Sequence, residues 1–101
     1  MKKFEQYLPI IKEYLSKQPI SKAWLFGSFS RDEAREDSDI DILVQFTPGA
    51  VVGLFKYSRM IRELGELLHR EVDLVEEGSL LPFAAKTAEL DKILIYEREA
   101  A

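Results

Sequence analysis

The sequence predicts an α/β (α+β) fold, a small mixed β-sheet flanked by helices. Three observations carry that expectation. Phe4, Tyr7, Leu8, Ile11, Tyr14 and Leu15 recur at helical spacing near the start of the chain. Ala23-Trp24-Leu25-Phe26 is a continuously apolar run stopped by Gly27, the pattern of a buried strand. Asp39 to Phe46 is rich in branched residues and halted by Pro48-Gly49, a second strand. Helical and strand patterns then keep alternating to the end.

The first helical pattern is interrupted at Pro9, which lacks an amide donor and disfavours a helical Leu8, so a kink or a fresh helix start is expected there. Gln18-Pro19 ends it. Ser28 to Ala34 reads as a short helix capped by Ser30, with Asp32 and Glu33 suited to its N-terminus. A polar turn, Arg35-Glu36-Asp37-Ser38, leads into the second strand. Residues 50–69 form the longest helical pattern, with Val51, Leu54, Tyr57, Ile61, Leu64 and Leu68 on one side. Gly53 and Gly65 weaken it by roughly 1 kcal/mol each relative to alanine. Glu71 to Val75 is a third strand and Gly78 a break. Ser79 caps a last helix through Leu90, with Pro82 in its first turn, and Ile93 to Tyr96 closes the sheet as an edge strand. No linker, repeat or low-complexity block divides residues 1–101, which read as one domain.

The composition excludes several function classes. Eighteen acids face 14 bases, a formal charge of −4, which argues against a direct grip on nucleic acid through bulk positive charge. The absence of cysteine removes disulfides, thiol nucleophiles and thiolate zinc sites. No apolar stretch is long enough for a membrane span or a signal-peptide core, and the reading places the protein in the cytoplasm. Neither a Walker A lysine motif nor a kinase signature is present.

The chemistry concentrates between Gly27 and Asp41. On a strand, Asp39 and Asp41 share one face about 6.5 Å apart, where two carboxylates can bridge hard cations. Taken alone the pair is a weak signal, one that a wet strand face would also give. Gly27-Ser28 adds a turn at which backbone amides and a hydroxyl can meet a phosphate, and Arg31 can reach the same anion. Gly-Ser alone could be a strand-terminating glycine. Together the two halves describe a site for a metal–nucleotide complex. Asp73, central in Glu71-Val72-Asp73-Leu74-Val75, is a costly lone charge among apolar neighbours unless it joins that cluster or takes a proton from an attacking hydroxyl. Two cations roughly 3.5–4 Å apart would then clamp the entering and leaving oxygens of an in-line displacement.

The stretch from Gly27 to Val44 resembles the signature of the DNA polymerase β-type nucleotidyltransferase superfamily: Gly-Ser, ten residues, Asp-x-Asp. In detail, FGS…R…SDIDILV is similar to the minimal nucleotidyltransferases, the MNT or MntA-like proteins, and Asp73 in its Val-Asp-Leu-Val context extends the likeness. The resemblance implies a polymerase β-like core in which Asp39 and Asp41 bind Mg²⁺, Asp73 is the third catalytic carboxylate and metal ligand, and Gly27 and Ser28 hold nucleotide phosphates. Arg31 matches an arginine common in these proteins and is assigned to phosphate contact. Asp32 departs from the pattern, standing where many relatives have glycine. The resemblance also implies two Mg²⁺ ions, ATP as substrate, and a HEPN-domain protein partner in a toxin–antitoxin pair. There the nucleotidyltransferase, as antitoxin, transfers AMP to a hydroxyl of its partner. Two rivals stand beside this reading. One is a nucleotidyltransferase acting on a small molecule, for which a chain of this length leaves no room for an acceptor-shaping helical domain. The other is a non-catalytic module that masks its partner. Acceptor, base selectivity and oligomeric state stay open.

Other residues read as architecture. His69, the only histidine, falls at a helix end, where it satisfies terminal carbonyls, and Trp24 reads as core. Phe55, Tyr57 and Met60 are core or a partner-facing surface. Arg59, Arg62 and Arg70 read as a charged helix face.

Overall fold

A computed structural model describes residues 2–35, 37–77 and 92–98. The elements are α1 (Lys2–Glu5), α2 (Leu8–Ser16), β1 (Ile20–Phe26), β2 (Ile40–Phe46), α3 (Leu54–Leu68), β3 (Val72–Glu76) and β4 (Ile93–Glu97). The strands form one mixed sheet in the order β3-β2-β1-β4. β1 pairs antiparallel with both β2 and β4, whereas β2 and β3 run parallel, α3 lying on the connection between them. The break at Gly78 and the helix expected over Ser79–Leu90 lie outside the described residues.

Strand alternation decides what faces the helices. Ile40, Ile42 and Val44 of β2, Ala23 and Leu25 of β1, Val72 and Leu74 of β3, and Ile95 of β4 are all buried in one cluster. Ile11 and Leu15 of α2 and Met60, Leu64 and Leu68 of α3 close over them, so both helices pack on the same side of the sheet. The opposite parity of β2 puts Asp41 and Leu43 on the other face. Trp24, partnered in register with Leu43, lies there too, half-buried and outside the main cluster, with the Lys92 ammonium 4.7 Å from its ring centroid. The expectation that Trp24 fills the core therefore gives way to a place on the second face.

Pro9 occupies the first turn of α2, after α1 has ended at Glu5, so the proline starts a new helix rather than kinking one. α3 begins only after Gly53, later than the apolar pattern implied. Val51, Leu54 and Phe55 are left 76–91% exposed, while Met60, Leu64 and Leu68 form the buried stripe. The Tyr57 hydroxyl donates to the Leu74 carbonyl and so ties α3 to β3. Arg98, just beyond β4, donates to the carbonyls of Gln18 at 2.6 Å, Ser16 at 3.1 Å and Ile20 at 3.1 Å. It thereby satisfies acceptors at the α2 C-terminus that the helix cannot satisfy itself. His69 ends α3 through its backbone, at φ 53, rather than through its ring.

Candidate active site

The sheet brings Asp41 and Asp73 together directly. They are register partners across the parallel β2–β3 pair, on strands about 4.8 Å apart, both on the face turned away from the helices. Asp39 immediately precedes β2 with the same parity. Asp39 and Asp73 are exposed, Asp41 half-buried. The Asp41 carboxyl is pushed up from 3.8 to about 6, first by burial, then by the negative charge of Asp73 and of Asp39, with Arg31 pulling it partly back. Asp41 thus feels the charge of both neighbouring carboxylates. As placed, no three His, Cys, Asp or Glu side chains among the described residues close into a ready metal cage. The donor set still suits a hard divalent cation, because it consists of crowded carboxylate oxygens whose mutual repulsion such an ion would relieve.

Gly27 is what allows Asp41 to sit there. It follows β1, whose last residue, Phe26, pairs with Asp41, and it turns the chain at φ +76. A Cβ at this position would lie 2.2 Å from Asp41 Oδ2. The glycine therefore meets two demands at once, a left-handed backbone and room for a carboxylate. Beyond it, the expected helix over Ser28–Ala34 is replaced by successive tight turns. Ser30 N donates to the Gly27 carbonyl at 3.1 Å, Arg31 N and Glu33 N to the Ser28 carbonyl at 3.3 and 2.9 Å, and Asp32 N to the Phe29 carbonyl at 3.3 Å. Ser30 Oγ donates to the Gly27 carbonyl at 2.7 Å instead of capping a helix. Two features oppose a helix here: Asp32 takes φ 57, and Phe29 is drawn into the core. Aspartate tolerates that left-handed region, which glycine would enter freely. Any phosphate cradle at Gly27-Ser28 is consequently a turn, with no helix dipole behind it.

Ser28 is half-buried at the head of this turn, and its hydroxyl has no intramolecular hydrogen bond among the described residues. Arg31 is exposed, its Nε 3.2 Å from Glu33 Oε2, and close enough to Asp41 to favour the ionised carboxylate. The structure thus gathers Gly27, Asp41, Asp73 and Arg31, with Asp39 and Ser28 at the margins.

Sequence reasoning missed Arg70. It is not part of a charged helix face. Its Nη1 donates to the Ser38 carbonyl at 2.7 Å and the Arg35 carbonyl at 3.3 Å, and its Nε to Tyr7 Oη at 3.3 Å. The guanidinium lies 5.2 Å from the Phe29 ring centroid and 5.8 Å from that of Tyr7. No local pattern reveals this, because every partner is distant in sequence.

Comparison with known proteins places this geometry. The sequence profile of the family described as "Nucleotidyltransferase domain" matches residues 8–95. The protein adenylyltransferase MntA of Thermococcus cleftensis is 41% identical over 76 residues, which cover 75% of this chain and 75% of that protein. A chain of a toxin–antitoxin crystal structure with AMP-PNP superposes with a TM-score of 0.77 at 21% identity, over 91% of this chain and 74% of that one. A chain from the complex of the tri-AMPylated Shewanella oneidensis HEPN toxin with its MNT antitoxin superposes with a TM-score of 0.71 at 20% identity, covering 93% and 72%. At that identity the two structures establish the shared fold.

Proposed function

The chain belongs to the nucleotidyltransferase domain family, and we propose that it transfers AMP from ATP to a hydroxyl of a partner protein, a HEPN-domain toxin for which it is the antitoxin. The observation that carries this reading is the juxtaposition of Asp41 and Asp73 across β2 and β3, hard against a glycine that only a bare backbone can satisfy. The name of the Thermococcus cleftensis relative supports protein as the acceptor, and the AMPylated HEPN toxin held by an MNT antitoxin supports the partner.

In the proposed reaction the acceptor oxygen attacks the α-phosphorus, its new P–O bond forms as the bond to the α–β bridging oxygen breaks, and pyrophosphate leaves. Asp73, exposed and beside Asp41, receives the acceptor proton. Gly27 and Ser28 hold the departing phosphates through turn amides and the serine hydroxyl, and Arg31 supplies a positive charge beside them. Asp39, Asp41 and Asp73 would hold Mg²⁺, two ions in full occupancy, and bound Mg²⁺ supplies charge neutralisation on the phosphates. The burial and then the like charges that raise Asp41 fit this role, because a divalent cation offsets repulsion that the apo site leaves in place.

Incubation of the purified chain with α-labelled ATP, Mg²⁺ and the HEPN-domain protein of its genomic neighbourhood tests the proposal. Label on the partner, lost in Asp41→Asn, supports it. Absence of label, with partner inhibition intact in Asp39→Asn, would establish the masking module instead.

A further inference from the structure

We infer that Arg70 is the positioning residue of the site, the group that fixes Asp39 in place and couples the aspartate pair to the Gly27-Ser28 turn. The inference rests on the reading of Asp39 as a metal-binding carboxylate. Asp39 lies one residue outside β2 and so lacks the ladder bonds that hold Asp41. Two anchors bracket it. On its C-terminal side, Ile40 N donates to the Glu71 carbonyl at 2.9 Å. On its N-terminal side, the Ser38 carbonyl accepts from Arg70 Nη1 at 2.7 Å, and the same nitrogen reaches the Arg35 carbonyl at 3.3 Å. Ser38 in turn closes on Arg35, its Oγ accepting from Arg35 N at 2.7 Å and its N donating to the Arg35 carbonyl at 3.1 Å. The guanidinium therefore pins both ends of the polar turn that delivers Asp39.

The other side of the same guanidinium rests near Phe29, two residues past Gly27 and itself packed edge-on against Phe4 and Tyr7. One planar cation thus joins both halves of the site, which lie at opposite ends of the β1–β2 connection, residues 27–39. Arg70 is aimed there by its own backbone: His69 turns out of α3 at φ 53, and Arg70 N donates to the Gly65 carbonyl at 3.2 Å. Gly65 leaves room for that return, since a Cβ on it would lie 3.2 Å from the Arg70 carbonyl oxygen. The contacts of Arg70 with the Ser38 and Arg35 carbonyls act on the course of the chain into Asp39, so the influence argued for it is geometric. Metal sites need their ligands held within roughly 0.5 Å, and loss of a supporting hydrogen bond typically weakens affinity or activity about 10–100-fold.

The test compares Arg70→Met, which keeps an apolar stem over Phe29 but donates nothing, with Arg70→Lys, which keeps a donor. Mn²⁺ affinity is read from the free-ion electron paramagnetic resonance signal, alongside kcat, ATP KM and the thermal midpoint of the full chain. Arg70→Met is expected to weaken Mn²⁺ binding and lower kcat by about tenfold each, with ATP KM within about threefold of wild type. Arg70→Lys is expected to recover part of both losses, with all three proteins folded at the assay temperature. Wild-type Mn²⁺ affinity in Arg70→Met overturns the inference. So do equal losses in both variants, or unfolding of both, because each marks a merely structural arginine. The Mn²⁺ titration needs no AMP transfer, so it decides the role of Arg70 even if the wild type fails to label its partner.

Discussion

Replacing Asp41 by asparagine should make the metal-free protein more stable while abolishing transfer. The Asp41 carboxyl titrates near 6 in the folded state against an ordinary 3.8. Across that gap the native form binds the proton more tightly than the unfolded chain. The favourable contribution is therefore fully present below 3.8 and is lost as pH rises through about 6. The full gap corresponds to about 3 kcal/mol, but Asp41 is only half-buried, and solvent screening reduces it to about 1–1.5 kcal/mol. In a chelator at pH 7.5, urea unfolding should show Asp41→Asn more stable by that amount, with a melting temperature about 4–10 °C higher. Below pH 3.8 the two proteins should converge, since Asp41 is then neutral in both states. Saturating Mg²⁺ should reverse the order at pH 7.5, because a ligand at a hundredfold its dissociation constant stabilises by about 2.7 kcal/mol and only the wild type binds it well. A stability gap independent of pH, or an asparagine variant weaker than wild type in chelator, would refute the reasoning.

Asp73→Asn removes the foremost like charge acting on Asp41, so the Asp41 carboxyl should fall toward 3.8, seen as a carboxyl-carbon titration midpoint moved to lower pH, with transfer lost. Gly27→Ala places a methyl 2.2 Å from Asp41 Oδ2 at a positive φ; it should destabilise by about 1–2 kcal/mol from backbone strain alone and depress kcat by tenfold or more, measured by denaturation and transfer assay. Leu64→Ala, at a fully buried position, should cost about 2–5 kcal/mol, whereas Phe55→Ser, 90% exposed, should change stability by less than about 0.5 kcal/mol in the same denaturation assay.

The parts of this fold legible in the sequence are those set by nearest neighbours. Alternation in Ile40-Asp41-Ile42 fixes which β2 side chains meet the helices, and the same parity sends Asp41 to the opposite face. Pro9 announces a helix start, and the glycine after Phe26 announces a turn. Two helical expectations fail. Ser28–Ala34 has the cap and charge pattern of a helix, yet burial of Phe29 and the positive φ at Asp32 hold it in turns. Val51 and Leu54 fit the helical period of the residues after them, but the helix begins only at Leu54 and both side chains point to solvent. Over Ser28–Ala34 tertiary packing overrides a local preference worth no more than about 1 kcal/mol per residue.

The candidate site divides along the same line. Its donors are written locally: Asp39 and Asp41 two apart, Gly27 and Ser28 adjacent. What aligns them is not. The partnership of Asp41 with Asp73 exists only because β3 returns parallel to β2 after α3, and the like charge that adds to burial in raising Asp41 follows from that return. The guanidinium of Arg70 reaches Ser38, Arg35, Tyr7 and Phe29, residues spread over both ends of the β1–β2 connection and the turn between two helices. Single-sequence reading finds such a residue only as one more surface charge, because an arginine in an ion-rich helix and an arginine tying loops together have the same local signature. The distinction lies in geometry: a planar donor fork fits several backbone carbonyls at once, which a lysine ammonium on a flexible stem does with less order. A site assembled in this way keeps its reactive carboxylates on one sheet face and hands their alignment to the chain that packs on the other. Substitutions that disturb alignment without touching a carboxylate should therefore cluster where α3 ends and β3 begins.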